Sequence, residues 1–202
     1  MSNCISVDTI DHNKQDAIDL VRKALVLLGL HENQEPLDVP ELDLQATPLR
    51  VVKMWIELTE GARDVPPAIA AFKSDHVQML VSKDIDFTSL CSHHLVPFRG
   101  VAHVGYIPNG KVVGLSKPAR VVDYFAARPQ TQELLTKQVA DYLMEKLQPR
   151  GVMVVLIAEH VCMTCRGARK PNSKFVTSSV KGLFLTDPSA KEEFLSLVNV
   201  SK

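Results

Sequence analysis

The sequence predicts an α+β fold, with an antiparallel four-stranded sheet, helices on one face of it, and an N-terminal helical extension. Three observations lead there. Apolar residues recur at helical spacing through the first quarter of the chain. From His76 onward the pattern changes to segments rich in β-branched and aromatic residues bounded by turn signals. Strands and helices then follow in pairs: helices, two strands, two helices, two strands and a short C-terminal helix.

Each element has its own warrant. In "KQDAIDLVRKALVLLGL", residues 14–30, Ala17, Ile18, Val21, Ala24, Leu25 and Leu28 share a helix face, and Gly29 is a stop signal. Residues 31–44, "HENQEPLDVPELDL", are polar and proline-containing and read as a connector. "TPLRVVKMWIELTEG" begins a second helix, with Thr47 as N-cap and Pro48 as first helical residue, closing at Gly61. Strands are expected in "HVQMLVSKDIDF" (76–87), "GVAHVGYIP" (100–108), "GVMVVLIAEHVCM" (151–163) and "FVTSSVKGLF" (175–184). "SKPARVVDYFAARP" (116–129) and "PQTQELLTKQVADYLMEKLQP" (129–149) read as helices. The second carries Leu135, Val139, Tyr142, Leu143 and Leu147 as an apolar stripe fit to cover a sheet. "KEEFLSLV" makes the closing helix. The chain divides into an extension and connector over 1–45 and one main domain over 46–202.

Composition narrows the partners. With 202 residues, 46% hydrophobic and a formal net charge of zero, the chain has no bulk affinity for nucleic acid or membrane. Its longest apolar run, "GVMVVLIA" (151–158), is far short of the ~20 residues of a membrane span. The opening "MSNCISVDTID" has the features of neither a secretion signal nor an organellar presequence, so a cytoplasmic location is expected. In that reducing compartment Cys91, Cys162 and Cys165 read as metal ligands or reactive thiols, and Cys4 as incidental.

Charge is segregated. Residues 87–122 contain no Asp or Glu but include Arg99, Lys111, Lys117 and Arg120. Residues 161–184 again contain none, and include Arg166, Arg169, Lys170, Lys174 and Lys181. Both acid-free segments also hold the Cys and His residues, which implies a positive site for a small anion such as a phosphate chain. The plainer alternative, a chance cluster on a solvated surface, applies to any single lysine.

The chemistry centres on "CSHHLVPF", residues 91–98. Cys91 and His94 are three apart, a spacing that lets one turn direct a thiolate and an imidazole at one ion. Strand alternation puts His160 and Cys162 on one face. Cys91, His94 and Cys162 would leave a tetrahedral zinc one open position, the mark of a catalytic site. Adding Cys165 from the CxxC pair would close the site and make it structural, and spacing alone leaves both arrangements open. His93 and His160 are candidates for proton transfer, while His103 in "VAHVGY" reads as a packed strand residue.

"SLCSHHLVPFRG", "VGYIPNGKVVGLSKPARVV", "RPQTQELLTKQ", "HVCMTCRG" and "NSKFVTSSVKGLF" resemble, in order and spacing, the motifs of GTP cyclohydrolase I, the first enzyme of folate and tetrahydrobiopterin synthesis. "TPLRVVKMW" is similar to the family's upstream helix, and the resemblance runs from about residue 47 to about residue 197. It implies the tunnelling fold and conversion of GTP and water to 7,8-dihydroneopterin triphosphate and formate. It further implies Zn2+ held by Cys91, His94 and Cys162, with His93 and His160 moving protons and Ser116 assisting at the ribose. Gln132 and Glu133 match the purine-recognition pair, a role for which the Glu133 carboxylate suits the N1–H and 2-amino group of guanine. The plainer reading of Glu133 is an exposed helix residue pairing with Lys137. Lys117, Arg120 and Arg166, with Arg50 and Lys53 from the upstream helix, match the triphosphate ligands.

The resemblance also implies a homo-oligomer, a ring-stacked decamer with sites between subunits, and some family members have a regulatory partner protein. Two positions depart from the pattern. Ser92 replaces the usual glutamate, and Cys165 stands where the family has a non-ligand residue. Two rivals follow from these departures: a cyclohydrolase that stops at a ring-opened product, and a non-catalytic ring-forming paralogue with a structural zinc.

Overall fold

The computed structural model describes residues 7–30 and 43–199. Cys4 and nearly all of the expected connector lie outside the described residues. In order, the elements are α1 (Val7–Leu27), α2 (Thr47–Leu58), a single 3-10 turn (Glu60–Ala62), β1 (Ala71–Lys73), β2 (Leu80–Cys91), β3 (Pro97–Ile107), β4 (Lys111–Val113) and α3 (Lys117–Ala126). There follow β5 (Pro129–Gln130), α4 (Gln132–Leu147), β6 (Gly151–His160), α5 (Val161–Thr164), β7 (Phe175–Gly182), α6 (Leu183–Thr186) and α7 (Pro188–Asn199). No helix among the described residues is long and apolar enough to cross a membrane.

The helical start is as expected, with two differences of detail. α1 begins at Val7, before its apolar stripe, and ends where Gly29 adopts φ +74°. Thr47 is not the N-cap of α2 but its first residue. Its N-cap is Ala46, without a side-chain cap, and the turn leading into it is held by Asp43, whose Oδ1 accepts from the backbone N–H of Gln45 and of Ala46, both at 2.9 Å. Those bonds hold the Asp43 carboxyl below its ordinary value.

The main sheet has five strands, ordered β5-β2-β3-β6-β7, rather than the four expected. The four long strands are antiparallel neighbours, as predicted. The fifth, β5, lies parallel to the end of β2 through Leu90–Pro129 and Cys91–Gln130. Two residues carry no periodicity, so β5 leaves no pattern in the sequence. It forms because the chain between α3 and α4 is tied down side by side with β2. Ser89 Oγ donates to the Arg128 carbonyl at 3.1 Å, and the Gln130 amide donates to the Phe125 carbonyl at 2.8 Å. A separate two-stranded ribbon pairs β1 with β4.

The helices cover both faces of the sheet, a second correction. Val152, Val154, Leu156 and Ala158 of β6 face α3 and α4, packing with Val121, Val122, Leu135, Val139 and Leu143. The alternate residues Met153 and Val155 face the other way, against Phe184 of α6 and Phe194 of α7. A strand apolar on both sides must be covered on both. The unbroken apolar run of 151–158 was the sign of it. In β3, buried His103 accepts from the Asp84 N–H at 3.2 Å through Nδ1, a packed strand residue as expected.

Phe194 reaches the sheet because Gly105 has no side chain. A Cβ there would stand 2.5 Å from Phe194 Cδ2. Gly105→Ala is therefore expected to lower stability by about 1–3 kcal/mol, as overpacking does. Urea unfolding checks this, and adding Phe194→Leu to the Gly105→Ala variant should recover part of the loss.

Candidate active site

The site is assembled at the ends of β2 and β6. After Cys91 the chain makes a tight turn: Cys91 N donates to the Val96 carbonyl at 2.9 Å, and Leu95 N to the Cys91 carbonyl at 2.8 Å. Leu95 takes φ +52°, a left-handed conformation that costs a leucine on the order of 1 kcal/mol. The turn is fastened to β5, where Ser92 N donates to the Gln130 carbonyl at 2.9 Å. Across the sheet, β6 ends at His160, paired with Phe98 of β3. Cys162 does not continue the strand as expected, because it lies in the helical turn α5. The turn still directs its sulfur at Cys91.

Cys91, His94 and Cys162 form a donor group whose atoms all lie within 4.8 Å of one another. Cys91 Sγ is 4.0 Å from Cys162 Sγ and 3.6 Å from His94 Nδ1. A tetrahedral zinc with bonds of about 2.3 Å to sulfur and about 2.0–2.1 Å to nitrogen spaces its ligands roughly 3.8 Å (S to S) and roughly 3.6 Å (S to N). The residues present fit that ion. Burial raises the Cys162 thiol, and the neighbouring Cys91 raises it further, whereas Arg166 lowers it. A bound cation reverses the balance by holding both sulfurs as thiolates. Cys165 does not belong to the group: it is exposed, and its thiol donates to the Val161 carbonyl.

A pocket of about 250 Å³ opens beside these donors, lined also by His93, Gln132, Glu133, His160 and Phe175. His160 is held on three sides. Its ring stacks on Phe98 with centroids 4.6 Å apart, meets Phe175 edge-on, and brings Nε2 within 2.9 Å of Gln132 Oε1. Gln132 fixes the tautomer. Its Nε2 faces the carbonyls of Leu156 and Phe175, each at 3.1 Å, and carbonyls only accept. The amide oxygen therefore faces His160 and accepts from Nε2–H, which leaves the lone pair on Nδ1. Burial lowers the His160 pKa, with Glu133 opposing, which favours the neutral ring.

Gln132 is buried, both amide hydrogens are engaged within the protein, and its amide oxygen orients His160. Glu133 is exposed on the first turn of α4, whose N-cap Thr131 accepts from Leu134 N. The plainer pairing with Lys137 does not occur, for Lys137 pairs with Asp141. None of Ser116, Lys117, Arg120, Arg166 and Arg50 lines the pocket. Ser116 stands at the N-cap position of α3 without a side-chain cap bond, Lys117 and Arg120 occupy its first turn, Arg50 lies exposed on α2, and Arg166 follows α5. Two cations of the acid-free segments are taken up elsewhere, Lys174 by Glu159 and Lys181 by Asp141. Gln130, Thr131, Met163 and Phe175 line the pocket without having been foreseen. Of these, only Phe175, an aromatic residue opening an expected strand, left a mark in the sequence.

An α+β scaffold that sets two cysteine sulfurs and an imidazole beside a buried, oriented histidine defines a candidate metal-assisted enzyme site. The profile of the family described as GTP cyclohydrolase I matches residues 21–199, reaching further upstream than the quoted motifs. GTP cyclohydrolase 1 of a Geobacillus species is 50% identical over 181 residues, covering 88% of this chain and 93% of that protein. The protein of the same name from Listeria monocytogenes is 46% identical over 92% of this chain and 96% of its own length. That of Carboxydothermus hydrogenoformans is 52% identical over 77% and 82%. The chain belongs to the GTP cyclohydrolase I family and is an enzyme of that family. Among solved structures, archaeosine synthase QueF-Like in the apo form aligns with a TM-score of 0.43 at 18% identity, over 55% of this chain and 97% of that one.

The donor geometry makes a direct prediction about metal content. Cys162→Ser should abolish stoichiometric zinc, whereas Cys165→Ser should retain it; elemental analysis of the purified variants distinguishes the open three-donor site from a closed four-donor one.

Proposed function

We propose that this chain is a zinc-dependent hydrolase converting GTP and water to 7,8-dihydroneopterin triphosphate and formate, the first step of folate and tetrahydrobiopterin synthesis. The observation that carries the reading is one pocket holding the Cys91, His94 and Cys162 donors together with His93, His160 and Glu133. Family membership supports it. Zn2+ held by the three donors supplies Lewis acidity and acidifies water near neutral pH.

The chain's own residues do the rest. The Glu133 carboxylate accepts from N1–H and the 2-amino group of guanine together, a pattern adenine does not offer. His160 presents Nδ1 as a base, its Nε2 hydrogen committed to Gln132. His93, whose Nδ1 is 4.0 Å from Cys91 Sγ, is the second proton carrier, at the exposed side of the turn. The ring-opened rival draws no support from Ser92, an exposed residue that does not line the pocket.

A volume of about 250 Å³ falls below the roughly 300–1,000 Å³ of complete small-molecule sites. We read the pocket as the purine end, completed by a neighbouring subunit in a homo-oligomer of the tunnelling-fold type, with a decamer as the expected assembly. Ser116 would then serve the ribose, and Lys117, Arg120, Arg166 and Arg50 the triphosphate, where bidentate guanidinium groups suit phosphate oxygens. The catalytic domain is assigned to 46–202 and the extension to 1–45.

The deciding experiment follows formate and the organic product after GTP is added to metal-quantified protein. Stoichiometric formate and dihydroneopterin triphosphate are expected; zinc without turnover would overturn the reading. His160→Ala should keep its zinc while turnover falls by about 10²–10⁴-fold, the usual worth of an acid–base group. Metal loss would instead make His160 a ligand. Glu133→Ala should raise KM for GTP at unchanged zinc content, and an unaltered KM would return Glu133 to the solvated helix face.

A further inference from the structure

One large apolar side chain on the pocket wall is unused by the chemistry above. Phe175, the first residue of β7, is 48% exposed, yet it lines the pocket together with the metal-donor group, Glu133 and His160. Its ring meets that of His160 edge-on, with centroids 5.6 Å apart and planes at 72°. Its carbonyl accepts from Gln132 Nε2 at 3.1 Å, and the same Gln132 holds His160. The aromatic wall, the amide and the imidazole are thus one hydrogen-bonded frame, and the ring is positioned before anything binds.

The two phenylalanines around His160 do different work. Phe98 is fully buried and stacks flat on the imidazole, which fixes the ring plane. Phe175 contributes little of that kind, since half of its surface faces water. Exposed aromatic surface is unfavourable until something apolar or planar covers it, by about 25 cal/mol per Å². Beside Glu133 the available partner is a planar heteroaromatic base, which presents a π-face to an aromatic side chain whatever its edge pattern. Met163, half-buried on the same pocket, supplies a second apolar wall.

We propose that Phe175 is a substrate-contacting residue whose ring packs against the purine base, holding it between the Glu133 carboxylate and the metal-donor group. The proposal rests on GTP as the substrate and adds a contact to the base alone, with none to the triphosphate. Glu133 then selects the base by its edge, and Phe175 retains it by its face.

The test uses the full-length, zinc-loaded protein with Phe175→Ala and Phe175→Tyr, comparing KM and kcat for GTP and the inhibition constants of guanosine and of inorganic tripolyphosphate. Removing a base-stacking ring weakens binding by about tenfold. Phe175→Ala should therefore raise KM for GTP and the guanosine constant by about that factor, leave the tripolyphosphate constant unmoved, and keep zinc content and oligomeric mass. Phe175→Tyr should restore the wild-type constants. An unchanged guanosine constant, or equal weakening of guanosine and tripolyphosphate, overturns the proposal. So does a change of oligomeric mass or loss of zinc in Phe175→Ala, which would make Phe175 a subunit-contact or structural residue. Wild-type protein that releases no formate from GTP removes the functional reading and this role with it. An active wild type with an indifferent Ala variant removes this role alone.

Discussion

Two sulfur atoms from cysteines 71 positions apart stand 4.0 Å from each other at the end of the sheet. As thiolates they would repel by about 4 kcal/mol at the effective dielectric of a half-buried site. Burial adds to that cost at Cys162. The repulsion is avoided only when at least one sulfur is protonated or a cation lies between them, and the third donor, His94 Nδ1, lies within 4.8 Å of both. Much of the surrounding structure serves that meeting. β3 lies between β2 and β6 and sets the separation of their ends, while β5 fastens the Cys91 turn through its short parallel pairing with β2.

The same frame settles what the pocket does with protons. Gln132 lies at the first turn of α4, under the Thr131 cap, and its amide is pinned by the carbonyls of Leu156 and Phe175. Because those partners only accept, the orientation of the amide is decided by chemistry, and with it the tautomer of His160. The stacked Phe98 ring then removes the remaining rotational freedom of the imidazole. An oriented base beside three metal donors is a combination of covalently distant residues that only the folded sheet brings together.

How far the sequence revealed this depends on the range of each signal. The four long strands and the covering helices were legible because burial imposes a period on them, and the Leu135, Val139, Leu143 and Leu147 stripe is the clearest case, all four being buried. The donors Cys91, His94 and Cys162 were legible from residue type and spacing, although the strand assumed to carry Cys162 ends two residues earlier. β5 was hidden because two residues have no period; the second helical layer had its sign in the apolar run of 151–158, but that run does not tell that α6 and α7 are what cover it. The inward turn of the Gln132 side chain was hidden for a related reason. A glutamine next to a glutamate at a helix start has no pattern that tells which of the two faces the core. Ser116, Lys117, Arg120 and Arg50 remain apart from the pocket in one chain. For Lys117 and Arg120 the sequence signal is a charge pattern, which reports affinity for an anion without saying where that anion sits.

X-ray absorption at the zinc edge of the purified protein reads the Cys91, His94 and Cys162 donor set itself, because it counts ligands without requiring turnover. A four-coordinate ion is expected, with two sulfurs at about 2.3 Å and two nitrogen or oxygen neighbours at about 2.0–2.1 Å, one from His94 and one from solvent. A shell of three sulfurs would bring Cys165 into a closed structural site, and a six-coordinate shell of light atoms would mean that Cys91 and Cys162 do not hold the metal at all.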